Sequence, residues 1–503
     1  MAVVSGLAVS SDVRERRSAW AMSWPLALGL VVFLWLNNVS GLPLLADPDT
    51  QWHVAVGNWI LSHRDVPRVD SYSFTFAGQP WIAKEWLSQV LLALAYGVGG
   101  WGGVTALGAA AISFSFALML RLLLRDIKPL PALLFTVAAM IMTGPHFLAR
   151  PHVLAFPFML LWVAGLVRAV EERRAPEPLL LLAMLLWANL HGGFTLGLVL
   201  AGAFALDALV GARDAAERRH LFAAWLKFGV GAALVACITP YGPESILVTL
   251  RIFEIGGTLD LISEWKSPNF QTHPMQELIL LIGLYVALSR GLKVPLIRLL
   301  IVLGLVHLFL RYARNAEILA MLTPLVLAPV LVRQFPGLRF DREEPAANVL
   351  LRRLRDLGNP AGLKAVLLGL AAAAAFSVSV VRFADVRPPA TNAPYAALQF
   401  VRENAITGRV LNQYGFGGFL IGAGIPTFID GRGELFGGEF IRRYAEAMSL
   451  RGEESFDRFL DRYEIDWTLL GKDQAANKLL ARLSGWREAY RDDVAVIFVR
   501  ERN

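Results

Sequence analysis

Two carboxylates separated by one proline, in Ala46-Asp47-Pro48-Asp49-Thr50-Gln51-Trp52-His53, follow the first long apolar run of the chain, and His53 lies four residues beyond the second acid. The same stretch carries Asp70 and then Pro80-Trp81-Ile82-Ala83-Lys84-Glu85-Trp86-Leu87. Cations and imidazoles recur where later apolar runs end: Arg150 with His152, Asn189 with His191, and Arg311 with Arg314, near Tyr241, Glu244, Glu264 and Trp265. Clustered acids accept protons, and cations stabilise a departing anion, so the set suits a reaction in which one group loses a proton while an anionic group leaves. Ionisable groups at membrane depth are costly, and their concentration at one face argues for a cavity there.

The elements that must position these groups are membrane helices. The chain has 503 residues, 55% hydrophobic and 18% charged, with a mean hydropathy of +0.50. That is more apolar surface than one globular core hides, so the excess must face lipid. About eleven runs approach the ~20 residues a spanning helix needs: 23–43, 103–124, 130–145, 152–170, 177–190, 193–211, 222–239, 276–290, 295–311, 316–333 and 363–382. The net charge of +7 comes from short clusters between these runs rather than from a basic face, which argues against a nucleic-acid partner. Arg14, Arg16 and Arg17, then Arg121, Arg125 and Lys128, Arg173 and Arg174, Arg213, Arg218 and Arg219, Arg290 and Lys293, and the segment 333–364 fall on one side. The alternate loops are poor in Lys and Arg, so the N-terminus is read as cytoplasmic and everything after about residue 383 as outside. The first run is too long for a signal peptide and lacks a small-x-small cleavage site. With Cys237 alone, no intramolecular disulfide forms.

One short apolar stretch, 85–98, ends in Gly99-Gly100-Trp101-Gly102-Gly103. Counting it as a span would invert the charge pattern, so it is read as a helix lying in the outer interface or dipping partway into the bilayer, within a long first outer loop, 46–102. In that loop Asp47-Pro48 reads as a helix start. Trp52, Ala55, Val56, Trp59 and Ile60 form an apolar stripe suited to a membrane surface, and 72–76 alternates like a hairpin strand. After Arg387-Pro388-Pro389 the composition becomes that of a globular α/β domain. Strands are predicted at 409–412, 427–430, 467–470, 488–490 and 494–499, and helices near 438–450, 454–463 and 474–484.

The acid motif, the 80–87 motif, the ladder of spans and a terminal outer domain together resemble the GT-C membrane glycosyltransferases. These include protein O-mannosyltransferases, oligosaccharyltransferases and aminoarabinose transferases. Gly417-Gly418-Phe419-Leu420 and Phe428-Ile429-Asp430-Gly431-Arg432 add likeness to a bacterial group of the same layout. The resemblance implies a GT-C-like arrangement, residues 1–383 in the membrane and 384–503 as a periplasmic α/β domain, in a multi-pass protein of the bacterial inner membrane. It also implies a polyprenyl-phosphate-linked sugar as donor, a glycan, lipid or protein acceptor, and inverting transfer. By position the base is Asp49 or Asp47, with His53 and Glu85 beside them. Arg150, His152, Arg311, Arg314 and Lys84 would take the donor phosphate, and Trp52, His191, Glu264, Asp430 and Arg432 the sugar or acceptor. Some members use a divalent metal and others do not; Asp47, Asp49 and Glu85 are the hard-oxygen candidates here.

Each residue also has a plainer role. Asp47 serves equally as a helix cap, His53 as a partner of Asp49, Lys84 and Glu85 as an interfacial charge pair, and Trp52 as a belt anchor. The arginines at span ends can snorkel, His191 can cap a turn, Gly415-Phe416-Gly417-Gly418 reads as a turn, and Asp430 and Arg432 can simply pair. A lipid-linked glycan transporter or a non-catalytic scaffold would use the same residues differently. A transporter needs polar groups through the middle of its spans, and the sequence shows few.

Overall fold

The computed structural model describes residues 18–38, 44–251, 265–341, 348–452 and 454–501. The run of arginines before Ser18, the end of the first expected span (39–43) and Glu264 lie outside them.

Fourteen helices occupy the first three quarters of the described chain: α1 (Trp24–Asn38), α2 (Thr50–His63), α3 (Trp86–Leu123), α4 (Pro129–Thr143), α5 (Pro151–Glu171), α6 (Leu181–Leu190), α7 (Phe194–Val210), α8 (Ala215–Ala236), α9 (Glu244–Arg251), α10 (Pro274–Ser289), α11 (Leu296–Arg311), α12 (Ala316–Gln334), α13 (Val349–Asp356) and α14 (Leu363–Phe383). Among the described residues, five helices are long and apolar enough to cross a membrane: Trp86–Leu123, Pro129–His146, Pro151–Glu171, Ala313–Gln334 and Leu363–Phe383. Four shorter apolar helices, Trp24–Asn38, Pro178–Leu190, Phe194–Val210 and Pro274–Ser289, match further expected runs. The remaining two runs, in α8 and α11, carry charge within the helix, including Arg218, Arg219 and Arg298.

The stretch 85–98 joins the next run in one 38-residue helix with non-helical backbone at Gly99 and Gly100. Gly100 has a φ of 55° and ψ of −145°, a combination open mainly to glycine, so the two pieces meet at a kink. Helices α3, α5 and α12 pack on one another at the centre of the bundle. Phe116, Trp162, Phe204, Phe309 and Met321 are fully buried there, while α10 and α14 expose Leu281, Ile282, Leu367 and Leu370 sideways.

The tail begins with α15 (Tyr395–Glu403) and contains β1 (Val410–Asn412), α16 (Gly417–Gly422), α17 (Gly433–Ser449), α18 (Phe456–Arg462), β2 (Trp467–Gly471), α19 (Ala475–Leu480), β3 (Trp486–Arg491) and β4 (Ala495–Arg500). Its sheet has the order β1-β2-β4-β3, with β1 parallel to β2 and the other pairs antiparallel. Val410, Leu469, Ile497 and Phe498 are fully buried between the sheet and its helices.

Two predicted strands are corrected. Neither 72–76 nor 427–430 is a strand within its own unit; they meet each other through a parallel bridge between Ser73 and Thr427. Phe74 N–H donates to the Thr427 carbonyl (3.1 Å), Thr427 N–H donates to the Tyr72 carbonyl (3.0 Å), and the Thr75 hydroxyl donates to the Phe428 carbonyl (2.7 Å). The backbone stays irregular because it wraps a buried ionic cluster, described below. The apolar stripe of α2 is also reassigned: Trp52, Val56 and Ile60 pack on Trp81, Ala83, Tyr241 and Ile421, so that face meets protein rather than lipid. The glycine-rich turn is one helical turn, Tyr414–Phe416, followed by α16, which lies against α2.

Candidate active site

Helix α2 starts at Thr50, two residues later than Asp47-Pro48 suggested, and Asp49 immediately precedes it without a side-chain cap. Asp47 is not the cap; its Oδ1 accepts the Asp49 N–H at 2.7 Å and so turns the backbone back on itself. Arg150 closes the arrangement. It precedes Pro151 at the first turn of α5, with extended backbone, and this aims its side chain along the end of the helix. One Nη donates to Asp47 Oδ2 (3.0 Å) and the other to Asp49 Oδ2 (2.9 Å). Both acids are nearly buried, Asp47 at 5% and Asp49 at 13% side-chain exposure. From the other side comes the tail: a Cβ on Gly431 would lie 1.8 Å from Asp49 Oδ1, and one on Gly418 would lie 2.1 Å from the Pro48 carbonyl oxygen.

The second wall comes from the start of α3 and the turn between α6 and α7. Glu85 Oε2 lies 3.9 Å from His53 Nε2, and Glu85 Oε1 lies 3.5 Å from His191 Nε2. His53 turns its Nδ1 to Gln89 (3.3 Å), so its ring serves the α2–α3 contact. His191 Nδ1 accepts the Gly193 N–H (3.1 Å); in the neutral ring the proton therefore sits on Nε2. Trp86 Nε1 donates to Asn189 Oδ1 (2.8 Å) and Ser88 Oγ to the Leu190 carbonyl (2.7 Å), which fixes this turn against α3. Lys84 donates to Glu434 of the tail at 3.0 Å.

Electrostatics follow from burial. Burial first, then Arg150 and Lys84, hold the His53 pKa well below 6.5; burial, His152 and Arg314 do the same to His191. Burial raises the Glu85 pKa above 4.5 against the pull of Lys84 and Arg150. Burial works against the Lys84 charge, but Glu434 and Glu85 outweigh it and raise its pKa. The unfolded chain therefore binds more protons at both histidines below about pH 6.5, and stability falls as pH drops through that window. Glu85 acts with the opposite sign, because the folded state holds its proton longer. Melting curves from pH 8 down to pH 5 should thus show a steeper loss for the wild type than for His53→Gln, which removes one titrating ring and leaves Glu85 in place. Parallel curves would show that His53 does not titrate between the two states.

Arg150, His152, His191 and Glu85 line a small cavity of about 40 Å³ together with His146, Arg314 and Glu317. Its volume has room for a few waters. Arg314 stacks over Trp265 at 4.4 Å, and His146 Nδ1 lies 3.2 Å from Glu317 Oε2. His152 Nε2 donates to the His146 carbonyl at 3.2 Å. Other expected residues lie elsewhere. Arg311 is exposed and faces Tyr312, and Trp52 is buried in the α2 packing. Asp430 and Arg432 are fully buried: Arg432 donates to both Asp430 oxygens (2.7 Å each) and to Asp70 Oδ1 (2.6 Å), stacked on Trp81 at 4.8 Å. They leave no surface for an acceptor and instead tie the first loop to the tail.

Sequence reasoning missed His146, Glu317 and Glu434. Glu317 had a signal, an acid in the first turn of an otherwise apolar helix. A guanidinium already stands between Asp47 and Asp49, which does not suit a divalent cation bridging that pair. Among the described residues no group of three or more His, Cys, Asp or Glu side chains is arranged to hold a metal.

Neither a protein-family model nor a curated protein matches the sequence. Solved structures do. ArnT from Cupriavidus metallidurans in the apo state aligns with a TM-score of 0.51 at 15% identity, over 94% of this chain and 97% of ArnT. ArnT bound to undecaprenyl phosphate gives 0.51 at 14%, with the same coverage. The archaeal oligosaccharyltransferase AglB from Archaeoglobus fulgidus, in complex with an inhibitory peptide and a dolichol-phosphate, gives 0.52 at 11%, over 89% of this chain and 69% of AglB. Both are GT-C glycosyltransferases, and at these identities the likeness is one of fold.

Proposed function

We propose that the chain is a glycosyltransferase that moves a sugar from a polyprenyl phosphate to an acceptor hydroxyl at the outer leaflet of the bacterial inner membrane. Residues 1–383 form its membrane part and 384–503 its periplasmic domain. The observation that carries this reading is Arg150, which lines a cavity holding Arg314 and three imidazoles and also grips both Asp47 and Asp49. The fold shared with ArnT bound to undecaprenyl phosphate supports the same donor class.

Asp49 does not itself line that cavity but adjoins it through Arg150, its hydrogen-bond partner. An acceptor oxygen attacks the anomeric carbon from the face opposite the phosphate. Its proton passes to Asp49, the C–O bond to phosphate breaks, and the electron pair leaves with the phosphate oxygen, so the configuration inverts. Arg314 and the Nε2–H of neutral His191 face the cavity and stabilise the leaving phosphate, while Arg150 holds the acid pair in place. Asp47 already accepts an N–H on one oxygen and Arg150 on the other, so it orients Asp49 rather than acting as the base.

Membranes containing the protein, supplied with a radiolabelled polyprenyl-phosphate sugar and an envelope extract, should release free polyprenyl phosphate as label enters a new product. Label that crosses the bilayer with its sugar–phosphate bond intact would replace transfer by transport.

A further inference from the structure

The acid site occupies one end of the central helices: Glu85 precedes α3, Arg150 precedes α5, and Glu317 opens α12. At the other end of the same three helices lies a second, larger cavity of about 830 Å³. Along α12 the two are separated by the rise from Glu317 to Arg333, about 24 Å at 1.5 Å per residue. Nothing in the transfer reaction uses this space.

Its rim is charged and its walls are apolar. Arg125, Arg168, Arg333 and Arg339 line it with Asp126, Glu171 and Glu172. Two of the three acids are shared with arginines from outside the cavity. Glu171 pairs with buried Arg298 (2.6 Å) as well as Arg333, and Glu172 with Arg174 (2.6 Å) as well as Arg168. Asp126 lies within electrostatic reach of both Arg125 and Arg339. Deeper, Val167 of α5 and Leu325, Ala328 and Val332 of α12 form the wall, on helices long and apolar enough to span. The backbone fixes the rim: Lys128 N–H donates to the Leu338 carbonyl (2.8 Å) and Phe340 N–H to the Asp126 carbonyl (2.8 Å), joining the chain after α12 to the α3–α4 turn.

We infer that this cavity is a second binding site, for a phosphate-headed amphiphile of net negative charge from the leaflet opposite the acid site. The guanidinium forks of Arg125 and Arg339 take the phosphate oxygens, and the α5–α12 wall takes the first carbons of the tail. A volume of this size suits a head group with part of a chain. The walls distinguish the ligand from a free anion, which would gain nothing from Leu325 or Val332. The inference needs the membrane helices and is independent of the transfer chemistry.

Full-length protein in nanodiscs of phosphatidylcholine doped with phosphatidylglycerol, weighed by native mass spectrometry, should retain phosphatidylglycerol. The Arg125→Gln/Arg339→Gln double variant should retain about tenfold less, the loss expected for two charge-assisted phosphate contacts weakened by exposure. Equal retention by both proteins overturns the site. Release of the lipid by millimolar inorganic phosphate alone overturns the amphiphile in favour of a free-anion site. If the double variant fails to fold, a photoactivatable phosphatidylglycerol on the wild type decides: label on the α5 and α12 wall near Val167 and Val332 supports the site, and label confined elsewhere overturns it.

Discussion

Asparagine at position 49 should lower transfer from a lipid-linked donor by about 10²–10⁴-fold, the range expected when a positioned general base is lost. Asparagine keeps the shape and can still accept from Arg150, but its amide cannot take the acceptor proton. The loss should therefore fall on kcat, with donor affinity little changed, since the donor is held by the cavity groups rather than by Asp49. Asp47→Asn should cost less in kcat, because that carboxylate aims its neighbour. The readout is product formation under single-turnover conditions with labelled donor, alongside binding of polyprenyl phosphate itself. Full activity of Asp49→Asn would remove this carboxylate from the reaction, and equal losses in both variants would assign the base role to the pair.

Arg432→Met should destabilise the protein by about 3–5 kcal/mol, the cost of breaking a buried ion pair by removing one partner. Asp70, Asp430 and Arg432 have no exposed side-chain surface, and the arginine forms an ion pair with each acid. Burial opposes the Arg432 charge, yet Asp430 and Asp70 outweigh it and raise its pKa. Without it two carboxylates remain buried beside each other and Thr427. A thermal melt in detergent should show an earlier transition, with protease cutting the joint between first loop and tail before the helices. Adding Asp70→Asn and Asp430→Asn to Arg432→Met should recover part of the loss, because the stranded charges go with their partner. An unchanged melt for the single variant would mean that water reaches the cluster.

The helices were legible because lipid imposes a long apolar period. Most expected cores, such as 152–170 and 363–382, fall within a residue or two of α5 and α14. The glycines after 98 mark a break, but the stretch read as a separate helix runs on across it into the next run as one kinked helix. The sheet of the tail was legible where strands alternate over several residues, as in β2 and β4. What failed was everything settled by long-range partners. Segments 72–76 and 427–430 look like strands alone, but each finds its partner some 350 residues away. The stripe on α2 looked like a membrane face because sequence does not reveal that Trp81 and Tyr241 cover it. Arg150 was recognised as an out-of-place cation, yet its double grip on Asp47 and Asp49 depends on how α5 docks. Arg311 and Arg314 share a motif, but a helix end separates them: Arg311 closes α11 and faces outward, and Arg314 sits in the next turn at the cavity.

The missing side chains at Gly418 and Gly431 also bear on engineering. Both let the tail's backbone touch the acid motif itself, and any larger residue would push against Pro48 or Asp49. The tail is thus not an interchangeable attachment. A chimera that grafts another folded module after α14 would inherit an acid pair with one side left open to water, unless the graft also supplies two glycines at matching depth.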